Sequence, residues 1–461
     1  LPYTPLPGLA PRVTPALGPC LDSVRRGTSS WILDAMLNTT PIRYKPHRFI
    51  HIYLQLGKLL FLNGATVQRV IDSIGAMKNY LGGDDLQVMI DYDGLVITDI
   101  NGQHYHTRVE RRNTFVIFNI EVLIEVSKLI RNLAVERPTV MEIKERLDEI
   151  SNLHSGLRGW GLHILVGLIA CAFGVINGAD ATASAAIFPA AMLLSLAKAS
   201  LLASGHNLYM SVFLAGLTGV LLSGLLASLL GTRTGLVAII AILLPQIPGF
   251  PLINAGFDIL RNHNTVAWGR LAFAAMMIVI LTLAASVPLL VFFDALQVET
   301  APEIGYWLVR LADGLFAGLA AMGLGLLFNV PGRFIPLLGL GAILGRGLRT
   351  ELMVFGGMDM AVAAFLGAAA VSLLMSLISR RGHFPAAVFA LICVLPMVPG
   401  FLAIDGLNHL FLFTQLAPTA VPPEMAVHTL QTLLKTAFTV SALVFGVIFP
   451  VFLIEGRSPR V

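Results

Sequence analysis

The sequence predicts an all-α membrane protein of about ten transmembrane helices, arranged as a 5+5 inverted repeat and preceded by a small cytoplasmic α+β domain. Three observations carry this. First, 56% of the 461 residues are hydrophobic and 13% are charged, with a mean hydropathy of +0.78. Soluble domains carry roughly 25% charged residues. Second, the charge is uneven: residues 1–160 hold 34 of the 58 Lys, Arg, Asp and Glu residues, and the other 301 residues hold 24. Third, a seven-residue motif occurs twice, LPQIPGF at 244–250 and LPMVPGF at 395–401, 151 residues apart.

Residues 1–46 contain Pro2, Pro5, Pro7, Pro11, Pro15 and Pro19 and no apolar run, so they are expected to form a disordered extension without a secretory signal. The α+β domain is expected over 47–155. Apolar residues at helical spacing predict helices over 49–62 and 65–81, separated at Gly64. Alternating residues predict strands over 86–91 and 95–100, turning at Asp93-Gly94, and a third strand from His104 to Arg111 after Asn101-Gly102. A helix over about 114–134 stops at Pro138, and Thr139 with Glu142 forms a capping box opening a last helix. His104 and His106 share one strand face, which is read as an exposed surface rather than a metal site.

Spans follow at 161–177, 182–203, 208–230, 235–251, 266–293, 305–328, 332–348, 353–379, 383–403 and 427–454, giving repeats at 156–300 and 301–461. Five spans is an odd number, so the second half must enter the membrane from the opposite side. Lys and Arg in short loops set orientation. Arg158, Arg261, Arg333, Arg380, Arg381, Arg457 and Arg460 fall on one side, against Arg233, Arg346 and Arg349 with the acidic stretch Glu299–Glu303 on the other. This places both termini in the cytoplasm.

Each motif closes the fourth span of its half. Pro245, Pro248, Pro396 and Pro399 remove backbone donors, and Gly249 and Gly400 permit backbone angles that other residues avoid. The helix should break there and free carbonyls at membrane depth, which is tolerated only inside protein or beside a water-filled cavity. Paired breaks in two halves point to a binding site. The expected substrate contacts are Pro245, Pro248, Gly249, Phe250, Asn254, Pro396, Pro399, Gly400 and Phe401, with the mid-span Lys198. Ionisable groups within spans mark proton or ion paths. The proton-coupling candidates are Asp258, Asp405, His409 and Asp313, of which Asn254 matches Asp405 and Asp258 matches His409 at the motif's own offset. Asp313 has a simpler reading as an i,i+3 partner of Arg310. Asp359 reads as an acidic helix start, and Gly314, Gly318, Gly323 and Gly325 as helix-packing positions.

The net charge of +4 comes without a basic stripe, which argues against nucleic acid binding. Cys20, Cys171 and Cys393 show neither disulfide nor zinc spacing. No nucleotide-binding loop, HExxH or nucleophile elbow is present, so neither a primary pump nor an enzyme is expected, and no cofactor or metal.

The stretch NGATVQRVIDSIGAMKNYLG (63–82), the strands after it and the helix pair ending ERLDEI (145–150) resemble the N-terminal part of the threonine/serine exporter family (ThrE). The duplicated LPxxPGF segments resemble that family's membrane part, and the resemblance covers about 48–454. In some bacteria the two parts are separate proteins; here they are fused. The resemblance implies export of threonine and serine across the inner membrane by proton-coupled antiport. Split relatives are linked to small dicarboxylates such as succinate. A dicarboxylate exporter, a channel and an intramembrane enzyme are the alternatives. The partners expected are membrane lipid, a small-molecule substrate and protons, with a homo-oligomer as an option.

Overall fold

The computed structural model describes residues 49–82, 85–101, 104–111, 118–153, 156–292, 306–382, 384–415 and 422–455. The expected extension, the Asn101-Gly102 turn, the Glu299–Glu303 stretch, Arg457 and Arg460 lie wholly or partly outside them.

The chain opens with α1 (Ile50–Leu62) and α2 (Val67–Leu81), then the antiparallel sheet β1 (Asp85–Asp91), β2 (Gly94–Asn101) and β3 (His104–Arg111), in that spatial order. The hairpin turns one residue earlier than expected: Asp91 pairs with Gly94, so Tyr92 and Asp93 form the two-residue turn and Gly94 opens β2. Helices α3 (Ile120–Glu136) and α4 (Val140–Ser151) follow. The predicted capping box is formed: the Thr139 hydroxyl accepts from the Glu142 amide at 3.3 Å, and the Glu142 carboxylate accepts from the Thr139 amide at 2.7 Å. Arg137 sits in the left-handed region at φ 47° just before Pro138, which ends α3. Leu56 and Leu60 of α1, Ile74 and Met77 of α2, Ile97 of β2, Leu123 of α3 and Leu147 of α4 share one core. Gly57 lets α1 lie on β2, because a Cβ there would stand 2.4 Å from Leu95.

The apolar part comprises α5 (Trp160–Ile176), α6 (Ala181–Ala203), α7 (Leu208–Leu230), α8 (Gly235–Ala241), α9 (Gly249–Leu260), α10 (Asn264–Phe292), α11 (Tyr306–Leu327), α12 (Ile335–Val354), α13 (Met360–Gly382), α14 (Ala386–Val394), α15 (Gly400–Phe413) and α16 (Pro423–Glu455). Among the described residues, six helices are long and apolar enough to cross a membrane, and eight if each of two bent pairs is one span. The protein is therefore a multi-pass membrane protein. The short α5 and the arginine-bearing α12 fall outside that set of eight, although both were expected as spans.

Several boundaries differ from expectation. The spans expected to end at the motifs continue as helix to Leu260 and Phe413, because the apolar sequence after each break resumes helical hydrogen bonding. Helix α12 runs on to Val354, and Gly357 at φ 59° makes the turn before α13. Asp359 caps α13, accepting from the Ala361 amide at 2.8 Å.

Helix α5 packs on α6, α6 on α7, α7 on α10 and α9 on α10; likewise α11 packs on α12, α12 on α13, α13 on α16 and α15 on α16. Between these sets α5 meets α11, α9 meets α16 and α15 meets α10. Small residues allow close approach: a Cβ on Gly323 would stand 2.5 Å from Ile169 of α5, and one on Gly318 2.8 Å from Ile343 of α12.

Candidate functional site: a cavity between two broken helices

The two motifs break their helices in the same way. Gly235–Gln246 meets Gly249–Leu260 at 55°, and Ala386–Met397 meets Gly400–Phe413 at 50°. In each case a one-turn 3-10 segment with Pro in its first turn precedes an extended residue, Ile247 at φ −65°, ψ 126° and Val398 at φ −63°, ψ 127°. Pro248 (φ −78°, ψ 61°) and Pro399 (φ −78°, ψ 55°) then form inverse γ-turns. These are closed by Gly249 N donating to Ile247 O and Gly400 N to Val398 O, both at 2.8 Å.

The motif glycines serve a different purpose from the one expected. Neither has a positive φ. A Cβ on Gly249 would stand 2.6 Å from Leu395, and one on Gly400 2.5 Å from Ile247. Each glycine admits the other motif's side chain, so the two breaks interlock.

A cavity of about 520 Å³ lies along this junction. All ten expected substrate contacts line it: Pro245, Pro248, Gly249, Phe250, Asn254, Pro396, Pro399, Gly400, Phe401 and Lys198. None of Asp258, Asp405, His409 and Asp313 does. Its charged lining consists of Lys198, Arg270, Arg346 and Arg349, and among the described residues no Asp or Glu lines it.

The freed carbonyls do not stay bare. Arg349 donates to Met397 O at 3.2 Å and Arg346 to Pro396 O at 3.1 Å. Lys198 Nζ donates to the Gln246 side chain at 2.5 Å. The Lys198–Arg349 and Gln246–Met397 separations both equal the motif offset of 151 residues. Arg346 and Arg349 were expected in a loop; they lie inside α12, Arg349 only 5% exposed. The offset from Lys198 was the sequence signal that could have found Arg349.

Asp313 does not pair with Arg310. Both its oxygens accept from Arg346 Nε at 3.0 Å, and Thr350 donates to it at 2.7 Å. Arg310 turns to Glu351 at 3.1 Å and lies over the Phe355 ring. Helical geometry permits the i,i+3 pair, but Arg346 projects from the adjacent helix at the depth of the half-buried Asp313.

Asn254 and Asp258 face the N-terminal helices. Asn254 donates to Gly64 O at 2.9 Å, while Asp258 accepts from the Val67 amide at 3.1 Å and from Arg270 at 2.6 Å. Their counterparts behave differently. Asp405 Oδ1 stands 3.6 Å from His409 Nδ1, which donates to the Asp405 carbonyl at 2.9 Å, and the His428 ring lies 5.7 Å from that of His409.

Outside the spans, Asp180 caps α6. Burial pushes its carboxyl up, but hydrogen bonds from Ala183, Thr182, Thr232 and Arg233 outweigh that and hold it below the usual carboxylate range.

Matching breaks that interlock over a cation-lined cavity, inside a multi-pass bundle, define a membrane transporter. The chain belongs to the threonine/serine exporter family, ThrE, whose two profiles match residues 51–291 and 313–453. Proteins from Klebsiella aerogenes and Escherichia coli, each named a probable succinate transporter subunit YjjP, are 24% identical over 225 residues and 26% over 226. Each alignment covers 49% of this chain, and 86% and 87% of the respective relative. A Haemophilus influenzae protein of no stated function is 26% identical over 156 residues, 34% of this chain and 51% of that protein. This chain thus spans about half the length of that relative. No solved structure matches.

Proposed function

We propose that this protein is a secondary transporter that exports small carboxylate-bearing metabolites from the bacterial cytoplasm. The carrying observation is that both helix breaks line one cavity whose charged groups, among the described residues, are all cationic. The packing of α5–α10 and its counterpart in α11–α16 supports ten spans in a 5+5 inverted repeat, with alternating access by movement of one half against the other. With Arg346 and Arg349 assigned to the interior, Arg233 is the one remaining described Arg against the positive-inside count, which supports a cytoplasmic N-terminal domain over 47–155.

The charge balance favours a dicarboxylate such as succinate. Arg270 and Arg346 have carboxylate partners in Asp258 and Asp313, whereas among the described residues Lys198 and Arg349 have none within ion-pair distance. An ammonium group of threonine or serine would find no carboxylate among the described lining residues, only neutral oxygens such as those of Asn177, Ser195 and Gln246. The family's description favours threonine and serine, which form the second reading. For proton coupling the reading favours Asp405 with His409 and His428, since Asp258 and Asp313 are committed to arginines.

Efflux of labelled succinate, threonine and serine from preloaded vesicles, with and without an uncoupler, tests both parts. Uncoupler-sensitive succinate efflux is expected. Efflux of threonine and serine alone overturns the dicarboxylate reading, and efflux indifferent to the proton gradient overturns the coupling.

A further inference from the structure

The N-terminal region does not merely sit beside the cavity; it contributes part of its wall through Phe61, Gly64, Tyr92 and Phe118. Phe118 stands 4.5 Å from Phe250 of the first motif and 5.7 Å from Phe328, ring centre to ring centre, and these two lie 5.2 Å apart. Gly64 makes that packing fit. Its φ of 90° excludes most side chains, and a Cβ there would stand 2.4 Å from the Phe118 ring.

The turn that carries Gly64 is gripped residue by residue. Asn254 holds Gly64 O, Arg270 holds Ala65 O at 2.7 Å, Asp258 holds the Val67 amide and His263 meets Gln68 at 3.2 Å. Thr66 at the start of α2 makes no side-chain cap of its own. Asp258 serves instead, a carboxylate at the positive end of a helix dipole. A second attachment lies at Asn329, which donates to Asn119 and Glu121, both at 2.9 Å, and accepts from Gly156 at 2.9 Å. The chain passes there into α5, so that attachment cannot part widely. The first can.

We infer that residues 49–153 have a gating function: Phe118 and the Gly64 turn close one mouth of the transport cavity, latched by Asp258–Arg270 and Asn254 and hinged near Asn329. The gate rests on the transporter reading above. Opening this mouth means separating Phe118 from Phe250 and Phe328 and releasing α2 from Asp258.

The test is thiol accessibility. Met277 lines the cavity and is 4% exposed. In the full chain, with the native cysteines replaced by alanine, Met277→Cys is labelled by a membrane-impermeant maleimide in vesicles with the N-terminal domain facing the reagent. The side is checked with Val135→Cys, at an exposed position. Adding Phe118→Ala, Gly64→Ala or Asp258→Asn is expected to speed labelling about tenfold, the population shift that loss of one aromatic or charged contact produces. Ala390→Cys, buried outside the cavity, reports general loosening and should stay unreactive. Unchanged labelling of Met277→Cys in all three variants, or equal acceleration of Ala390→Cys, overturns the gate. No substrate is involved, so a protein that passes this test yet moves no carboxylate refutes the transport reading alone.

Discussion

Lys198 and Arg349 occupy matching positions of the two halves, and each reaches the matching residue of its own break, Lys198 the Gln246 side chain and Arg349 the Met397 carbonyl. A cation facing the C-terminal end of a half-helix complements its dipole, and a carboxylate entering the cavity can replace those contacts.

Lys198→Met and Arg349→Met should therefore each weaken succinate transport. Losing one charged hydrogen bond of about 1.5–3 kcal/mol corresponds to roughly 10- to 150-fold in KM. Threonine efflux should suffer less, having one carboxylate. Arg349→Lys should recover only part of the loss, since lysine cannot reproduce the guanidinium fork. Initial efflux rates against internal concentration measure this.

Gly249→Ala and Gly400→Ala should each destabilise the protein by about 1–3 kcal/mol, the cost of overpacking. The cause is the facing side chain, so Leu395→Ala should rescue Gly249→Ala and leave Gly400→Ala unimproved. Thermal unfolding in detergent distinguishes these; rescue of both or neither would point to backbone conformation instead.

Asp313→Ala strands the Arg346 guanidinium, whose side chain is 15% exposed, and should cost about 3–5 kcal/mol. Asp313→Leu combined with Arg346→Met should cost much less, because no uncompensated charge remains. Unfolding midpoints of the single and double variants check the difference.

Asp180 has a folded-state pKa below its unfolded value of about 3.9. Its contribution is present above about pH 3.9 and is lost as pH falls through the lower folded value. The group is largely solvated, so the pH-dependent part should stay under about 1 kcal/mol. Asp180→Asn should flatten the acid limb of a stability–pH curve measured from pH 6 to 3, leaving the rest of the curve parallel.

The elements of the N-terminal region were legible in the sequence because their signals are local. The Thr139–Glu142 capping box and the stop at Pro138 act within a few residues, and the structure forms both; the hairpin is where its signal put it, but turns at Tyr92-Asp93, one residue earlier than Asp93-Gly94. The duplicated motif was equally legible, since proline removes a donor whatever surrounds it.

Contacts between distant segments were not. Asp313 prefers Arg346 to Arg310 because helix packing sets which cation shares its depth. Gly249 and Gly400 are needed for space rather than angle, which appears only once the two breaks meet. Asn254 and Asp258 match Asp405 and His409 in position, yet the first pair holds a turn almost two hundred residues away in the chain. Periodicity, turns and breaks are properties of neighbouring residues, so the sequence by itself determined the elements and where they bend. Which polar group a buried charge meets depends on long-range packing, and only the tertiary structure decided that.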